Sequence, residues 1–159
     1  MRIPIGAIIL SIFAVIWTAA GTRNLERRWF VSLLLGAILI SLGVIYAGAH
    51  MQTAHPLTFN ARAYNLSILF EGVLIFFAVL FLRCAERKHL LLPVISIIVG
   101  LHFIGMVWAL GSSLYWWISA GMCLLPVTTM SILPRSVWEP VVGIGCAVIL
   151  WTSAICAFF

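Results

Sequence analysis

Aspartate is absent from the 159 residues, and all charged residues together make up only 8% of them. Soluble domains carry roughly 25% charged residues, so the composition leaves no room for a water-soluble domain. The formal net charge is +5, but the basic residues are spread over short loops between apolar runs. That pattern sets membrane topology and does not form a nucleic-acid surface. Cysteine is scarce as well: Cys84, Cys123, Cys146 and Cys156 include no CxxC pair and no paired loop spacing, so neither a disulfide framework nor a zinc site is indicated. They read as small apolar packing residues. The GxSxG, HExxH, Walker and dinucleotide motifs are also missing, so the hydrolase and nucleotide-binding readings have no foothold. The chain is expected to be no enzyme, with no catalytic residue, cofactor or prosthetic group.

What the chain does have is apolar sequence: 64% hydrophobic residues, with a mean hydropathy of +1.20. A bilayer core needs roughly 20 mostly apolar residues per helix. Six stretches qualify: Ile3–Ala20, Trp29–Ala49, Tyr64–Leu82, Leu90–Leu110, Leu114–Ile132 and Val137–Phe158. The fold class this predicts is all-α, a polytopic transmembrane bundle of six helices in a single domain over residues 1–159. Connections are short. Gly111-Ser112-Ser113 turns the fourth span tightly into the fifth, and Pro134-Arg135-Ser136 breaks the fifth from the sixth, since proline cannot donate to a continuing helix. Pro126 inside the fifth span is expected to kink it.

Cytoplasmic loops collect Lys and Arg. One set of alternate loops holds Arg23, Arg27, Arg28, Arg83, Arg87, Lys88 and Arg135, and the other side holds Arg2 and Arg62, seven against two. The 1–2, 3–4 and 5–6 loops are therefore placed in the cytoplasm and both termini outside. Arg2, the first apolar run and Thr18-Ala19-Ala20 imitate a signal peptide, but Arg23, Arg27 and Arg28 follow at once, and cleavage would force them outward. A retained anchor is expected. Trp29, Tyr46, Tyr64, Trp108, Tyr115, Trp116, Trp117 and Trp138 lie near span ends, where rings favour the membrane interface.

Small residues recur four apart at Ser32/Gly36, Ala37/Ser41, Gly43/Ala47, Ser96/Gly100, Gly105/Ala109 and Gly143/Ala147. They allow close helix approach, which lipid does not otherwise drive. A short echo joins Ile3-Pro4-Ile5 with Leu92-Pro93-Val94 three spans later, the spacing of an inverted repeat.

Two ionisable side chains fall well inside spans, Glu71 and His102. A charge at membrane depth costs a few kcal/mol, which makes such a group a functional candidate. At 1.5 Å per residue Glu71 lies about 10 Å, and His102 about 13 Å, below the same outer surface. Their spans are antiparallel neighbours, so a direct contact is expected. Tyr64, Ser67, Glu71, Ile75 and Ala78 share one helical stripe, and His102, Gly105 and Ala109 share a face of the next span. Such a pair can hold a proton or bind a small polar or cationic ligand. Glu71 is the expected acceptor, His102 its partner, and Ser67 and Tyr64 supply polar contacts. The alternative is a non-transporting structural or accessory protein that uses the pair as interhelical glue and binds a second copy or another membrane protein. His50 and His55 on the outer loop lack a nearby carboxylate or thiol, so no metal is expected there.

The run Val99-Gly100-Leu101-His102-Phe103, followed by Tyr115 and Gly121 and preceded by Glu71-Gly72, resembles a stretch in small six-span bacterial integral membrane proteins of uncharacterised function. The resemblance implies a bacterial cytoplasmic (inner) membrane and a helix bundle. It implies no activity.

Overall fold

The computed structural model describes residues 5–50 and 59–156, and all regular structure in it is helical. Six α-helices follow in order: α1 (Ile5–Thr22), α2 (Arg27–His50), α3 (Ala61–Cys84), α4 (Leu91–Leu110), α5 (Leu114–Ile132) and α6 (Trp138–Cys156). Single 3-10 turns at Lys88–Leu90 and Arg135–Val137 lead into α4 and α6. Arg2, the Ile3-Pro4 half of the echo, and Gln52, His55 and Pro56 of the outer loop lie outside the described residues.

Four helical segments are long and apolar enough to cross a bilayer: Arg27–Gly48, Ala61–Cys84, Lys88–Leu110 and Arg135–Cys156. The apolar part of α1, Gly6–Thr22, is shorter. Helix α5 has 19 residues, but Ser119, Pro126, Thr128, Thr129 and Ser131 dilute its hydropathy.

The ends of the helices follow from local chemistry. Asn60 caps α3, its Oδ1 accepting from the Ala63 N–H at 3.2 Å, which satisfies a donor the helix leaves free. This cap starts α3 three residues ahead of the expected Tyr64. Gly111 closes α4 in the left-handed region at φ 67°, the conformation that glycine reaches without a Cβ penalty. Leu133 is extended, as a residue before proline tends to be, and α5 stops there.

The chain divides into two compact units, one of α1, α2 and most of α6, the other of α3, α4, α5 and the first turn of α6. In the first unit α1 buries a continuous stripe, Ala7, Leu10, Ser11, Ala14, Trp17, Thr18, Gly21 and Thr22, at the spacing of one helix face. Ser41 of α2 donates to the Ser11 carbonyl at 3.0 Å. The Trp151 indole N–H of α6 donates to Ser41 Oγ at 2.9 Å, so one hydroxyl links three helices. Gly143 of α6 lies directly against the Gly21 backbone of α1.

In the second unit α4 is the central helix, packed on α3 along one side and on α5 along the other. Ser96 donates to the Met122 carbonyl at 2.8 Å, and Gly100 faces Cys123 and Met122. Phe103 and Tyr115 stack with centroids 6.0 Å apart. Tyr115 is therefore buried, as is Trp138, whose indole N–H donates to the Leu133 carbonyl at 2.9 Å. Both were expected in an interfacial belt; each has a protein partner that holds it inward. Trp29, Tyr46, Trp108, Trp116 and Trp117 remain exposed.

The outer surface of α3 is apolar. Leu69, Phe70, Phe76, Phe77 and Phe81 are all exposed, while its less exposed positions include Tyr64, Ser67, Glu71, Ile75 and Ala78. This is the stripe expected from the sequence. An apolar face of this extent needs an apolar surrounding.

Candidate functional site

The site lies between α3 and α4, where the polar residues of two otherwise apolar helices coincide. Glu71 is ten residues into α3 and His102 eight residues before the end of α4. At 1.5 Å per residue they lie about 15 and 12 Å from the same end of the pair. That end is tied by backbone: the Asn60 N–H donates to the Ala109 carbonyl at 2.8 Å. Depth is therefore matched by the antiparallel register.

His102 Nδ1 stands 3.3 Å from Glu71 Oε2 and 3.0 Å from Ser67 Oγ. The Ser67 hydroxyl donates its one hydrogen to the carbonyl of His102 at 3.0 Å. Ser67 Oγ can then only accept from the ring, so Nδ1 carries a proton and gives it to Ser67 Oγ, while Glu71 Oε2 stands beside it at ion-pair distance. The ring is thereby fixed in orientation by two residues one helical turn apart on α3.

Gly105 makes this approach possible. A Cβ there would fall on Ser67 Oγ and within 2.9 Å of Ser67 Cβ. The Gly105→Ala variant is expected to push α3 off α4, break the Ser67–His102 contacts and lower stability by about 1–3 kcal/mol. Adding Ser67→Gly removes the atoms that the methyl meets, so the double variant should lose less in a thermal melt than the two single variants added together. Additive losses would show that the contact is not what limits the approach.

A groove of about 620 Å³ runs along the pair, lined by Ala63, Leu66, Ser67, Phe70, Glu71 and Leu74 of α3 and by Ile98, Leu101, His102, Ile104, Gly105 and Trp108 of α4. The His102 side chain is 7% exposed and that of Glu71 21%, so the carboxylate is the more accessible partner. Among the described residues, Ser11 Oγ is the one buried polar side-chain atom without a hydrogen bond. The Glu71 carboxylate is thus not among the sealed polar atoms, and its side chain lines the groove.

Of the four residues expected at the site, Glu71, His102 and Ser67 are brought together. Tyr64 is not among the groove residues; its ring packs on Phe59, 5.6 Å between centroids. The sequence reading missed the groove walls, Leu66, Phe70, Leu74, Leu101 and Trp108. Their spacing holds the signal, since Leu66 and Phe70 flank the Ser67–Glu71 stripe and Leu101 and Trp108 flank the His102–Gly105 face.

No group of three or more His, Cys, Asp or Glu side chains fit to hold a metal occurs among the described residues. His50 Nδ1 is engaged by the Tyr46 carbonyl at 2.8 Å. At the opposite end of the second unit, the connections before α4 and α6 meet through His89 and Trp138, 6.0 Å between ring centroids. Arg135 lies over the Trp138 ring. This end also carries Arg83, Arg87 and Lys88.

No curated protein and no solved structure matches the chain. A family model does, over residues 2–158. With a match over nearly its whole length, the chain belongs to DUF7010, a family of unknown function.

Proposed function

We propose that the chain is a multi-pass protein of a bacterial cytoplasmic membrane that takes up and releases a proton, or a small polar or cationic solute, at the Glu71–His102 pair. Glu71 is the acceptor in this reading, and His102, held by Ser67, is the group that orients it. The observation that carries it is a carboxylate 3.3 Å from an imidazole on a neighbouring apolar helix, its side chain 21% exposed and lining a groove. Helices α1 and α5 also cross the membrane in this reading. The basic residues set the orientation, with Arg23, Arg27, Arg28, Arg83, Arg87, Lys88 and Arg135 cytoplasmic and both termini outside.

A second reading has its own support: every polar contact of the cluster joins α3 to α4, as interhelical glue would. Proteoliposomes separate the two. A pH jump across the vesicle, followed with an internal pH dye, should collapse faster with the protein than without it, and Glu71→Gln and His102→Ala should each remove the difference. Unchanged flux in both variants, with a large loss of thermal stability, favours glue.

A further inference from the structure

We propose that the groove between α3 and α4 binds a lipophilic monovalent cation, with its charge on Glu71 and its apolar body against Leu66, Phe70, Leu101 and Trp108. This deepens the preceding reading and rests on it in taking Glu71 as the binding group. Two features narrow the ligand. The first is the way in. Leu66 is 57%, Phe70 70%, Leu101 49% and Trp108 70% exposed on the apolar side of the helix pair. A groove with such walls favours a molecule already dissolved in the bilayer over a large hydrated ion. The second is charge. Glu71 is the one acidic residue among the lining residues, and no Lys or Arg lines the groove. An anionic lipophile would be repelled by the carboxylate and a neutral one would gain nothing from it, whereas a cation adds a second partner beside His102 where the surroundings screen least. The exposed faces of Phe70 and Trp108 add the attraction of an aromatic ring for a cation.

Protons and the cation then compete for one carboxylate, so binding weakens as the pH falls and Glu71 is protonated. The titratable groups on the elements packed against α3 are His102 on α4 and Lys88 and His89 in the 3-10 turn. Lys88 and His89 lie beyond the far end of α3, about 20 Å along the axis from Glu71, which leaves His102 as the group that acts on it directly.

The probe is tetraphenylphosphonium, measured with an ion-selective electrode against the purified full-length protein in a neutral detergent. Tetraphenylborate, nearly the same size and opposite in charge, is the control, measured in separate samples because the two ions precipitate together. The expected result is saturable binding of the cation, weakened at least tenfold by Glu71→Gln and several-fold by Phe70→Ala, with binding of the anion no tighter to wild type than to Glu71→Gln. Phe70 is 70% exposed, so its variant keeps the test valid should Glu71→Gln fold poorly. Equal binding of the cation to wild type and Glu71→Gln, or binding of the anion that Glu71→Gln weakens equally, would overturn the proposal and leave an apolar groove that holds lipid. Absent binding alongside Glu71-dependent proton flux in proteoliposomes would overturn the cation proposal alone. Absence of both would overturn the proposed function with it.

Discussion

Gly143→Ala is expected to destabilise the protein by about 3 kcal/mol, the upper end of what overpacking by a single methyl costs. The reason is the nature of the atoms it would meet. A Cβ at position 143 falls on Gly21 Cα, with Trp17 O at 2.8 Å and Gly21 N at 2.9 Å. All three are backbone, so no rotamer change relieves the contact and α1 must move away from α6. That movement pulls on the bond from Trp151 to Ser41 and through it on the one from Ser41 to the Ser11 carbonyl. Gly36→Ala is the matched control, because a Cβ there meets nothing within 4 Å and should change stability by no more than about 0.5 kcal/mol. Denaturation in a detergent of increasing harshness, followed by tryptophan fluorescence, measures both. Equal midpoints for the two variants would mean that α1 and α6 do not cross at these glycines.

Glu71→Gln is expected to have the largest effect on function and little on the fold. Glutamine keeps the shape of the side chain, and Ser67 still holds His102, so the α3–α4 link survives. Interhelical polar contacts in membranes average about 0.6 kcal/mol, so the loss in stability should stay below about 1 kcal/mol. The amide cannot bind a proton in the working pH range or balance a cation. Proton flux that depends on pH in the wild type should fall at least tenfold, and its pH profile should become flat. Glu71→Leu makes the complementary test. It removes every polar atom beside the ring except those of Ser67, and should lower both flux and stability. If Glu71→Gln matched Glu71→Leu in the melt while keeping wild-type flux, the carboxylate would be serving only the packing of the two helices.

Much of this arrangement is legible in the sequence, because it depends on length, polarity and depth. The bounds of α5 fall at Leu114 and Ile132 as expected, since Gly111-Ser112-Ser113 and Pro134 punctuate it on both sides. α3 begins earlier than its hydropathy suggests because Arg62 looks like a loop residue, while Asn60 is the actual cap. The Glu71–His102 contact could be anticipated because two ionisable groups lay at matched depth on adjacent antiparallel spans, and Ser67 followed from its place one turn before Glu71.

The small-residue pairs show where such reading stops. Gly100, Gly105 and Gly143 lie against neighbouring helices, whereas Gly36, Gly43 and Gly72 face open space, though Gly36 and Gly43 belong to the same four-residue pattern. A helix that is apolar all round carries no signal for which side meets protein and which meets lipid. The same ambiguity hid the groove walls. It also separates Tyr64 from the site: the residue shares the stripe of Ser67 and Glu71, yet its ring turns to Phe59.

The central claim is that Glu71 exchanges protons from within the apolar slab, and infrared difference spectroscopy on the protein in bilayers tests it most directly. A protonated carboxyl gives a C=O stretch well separated from the amide bands. Stepping the pH should make such a band appear and disappear, shift it on transfer to D₂O because the groove admits exchange, and abolish it in Glu71→Gln. A carboxyl band that ignores pH and D₂O, or a titrating band that persists unchanged in Glu71→Gln, would contradict the claim and return the pair to a purely structural role.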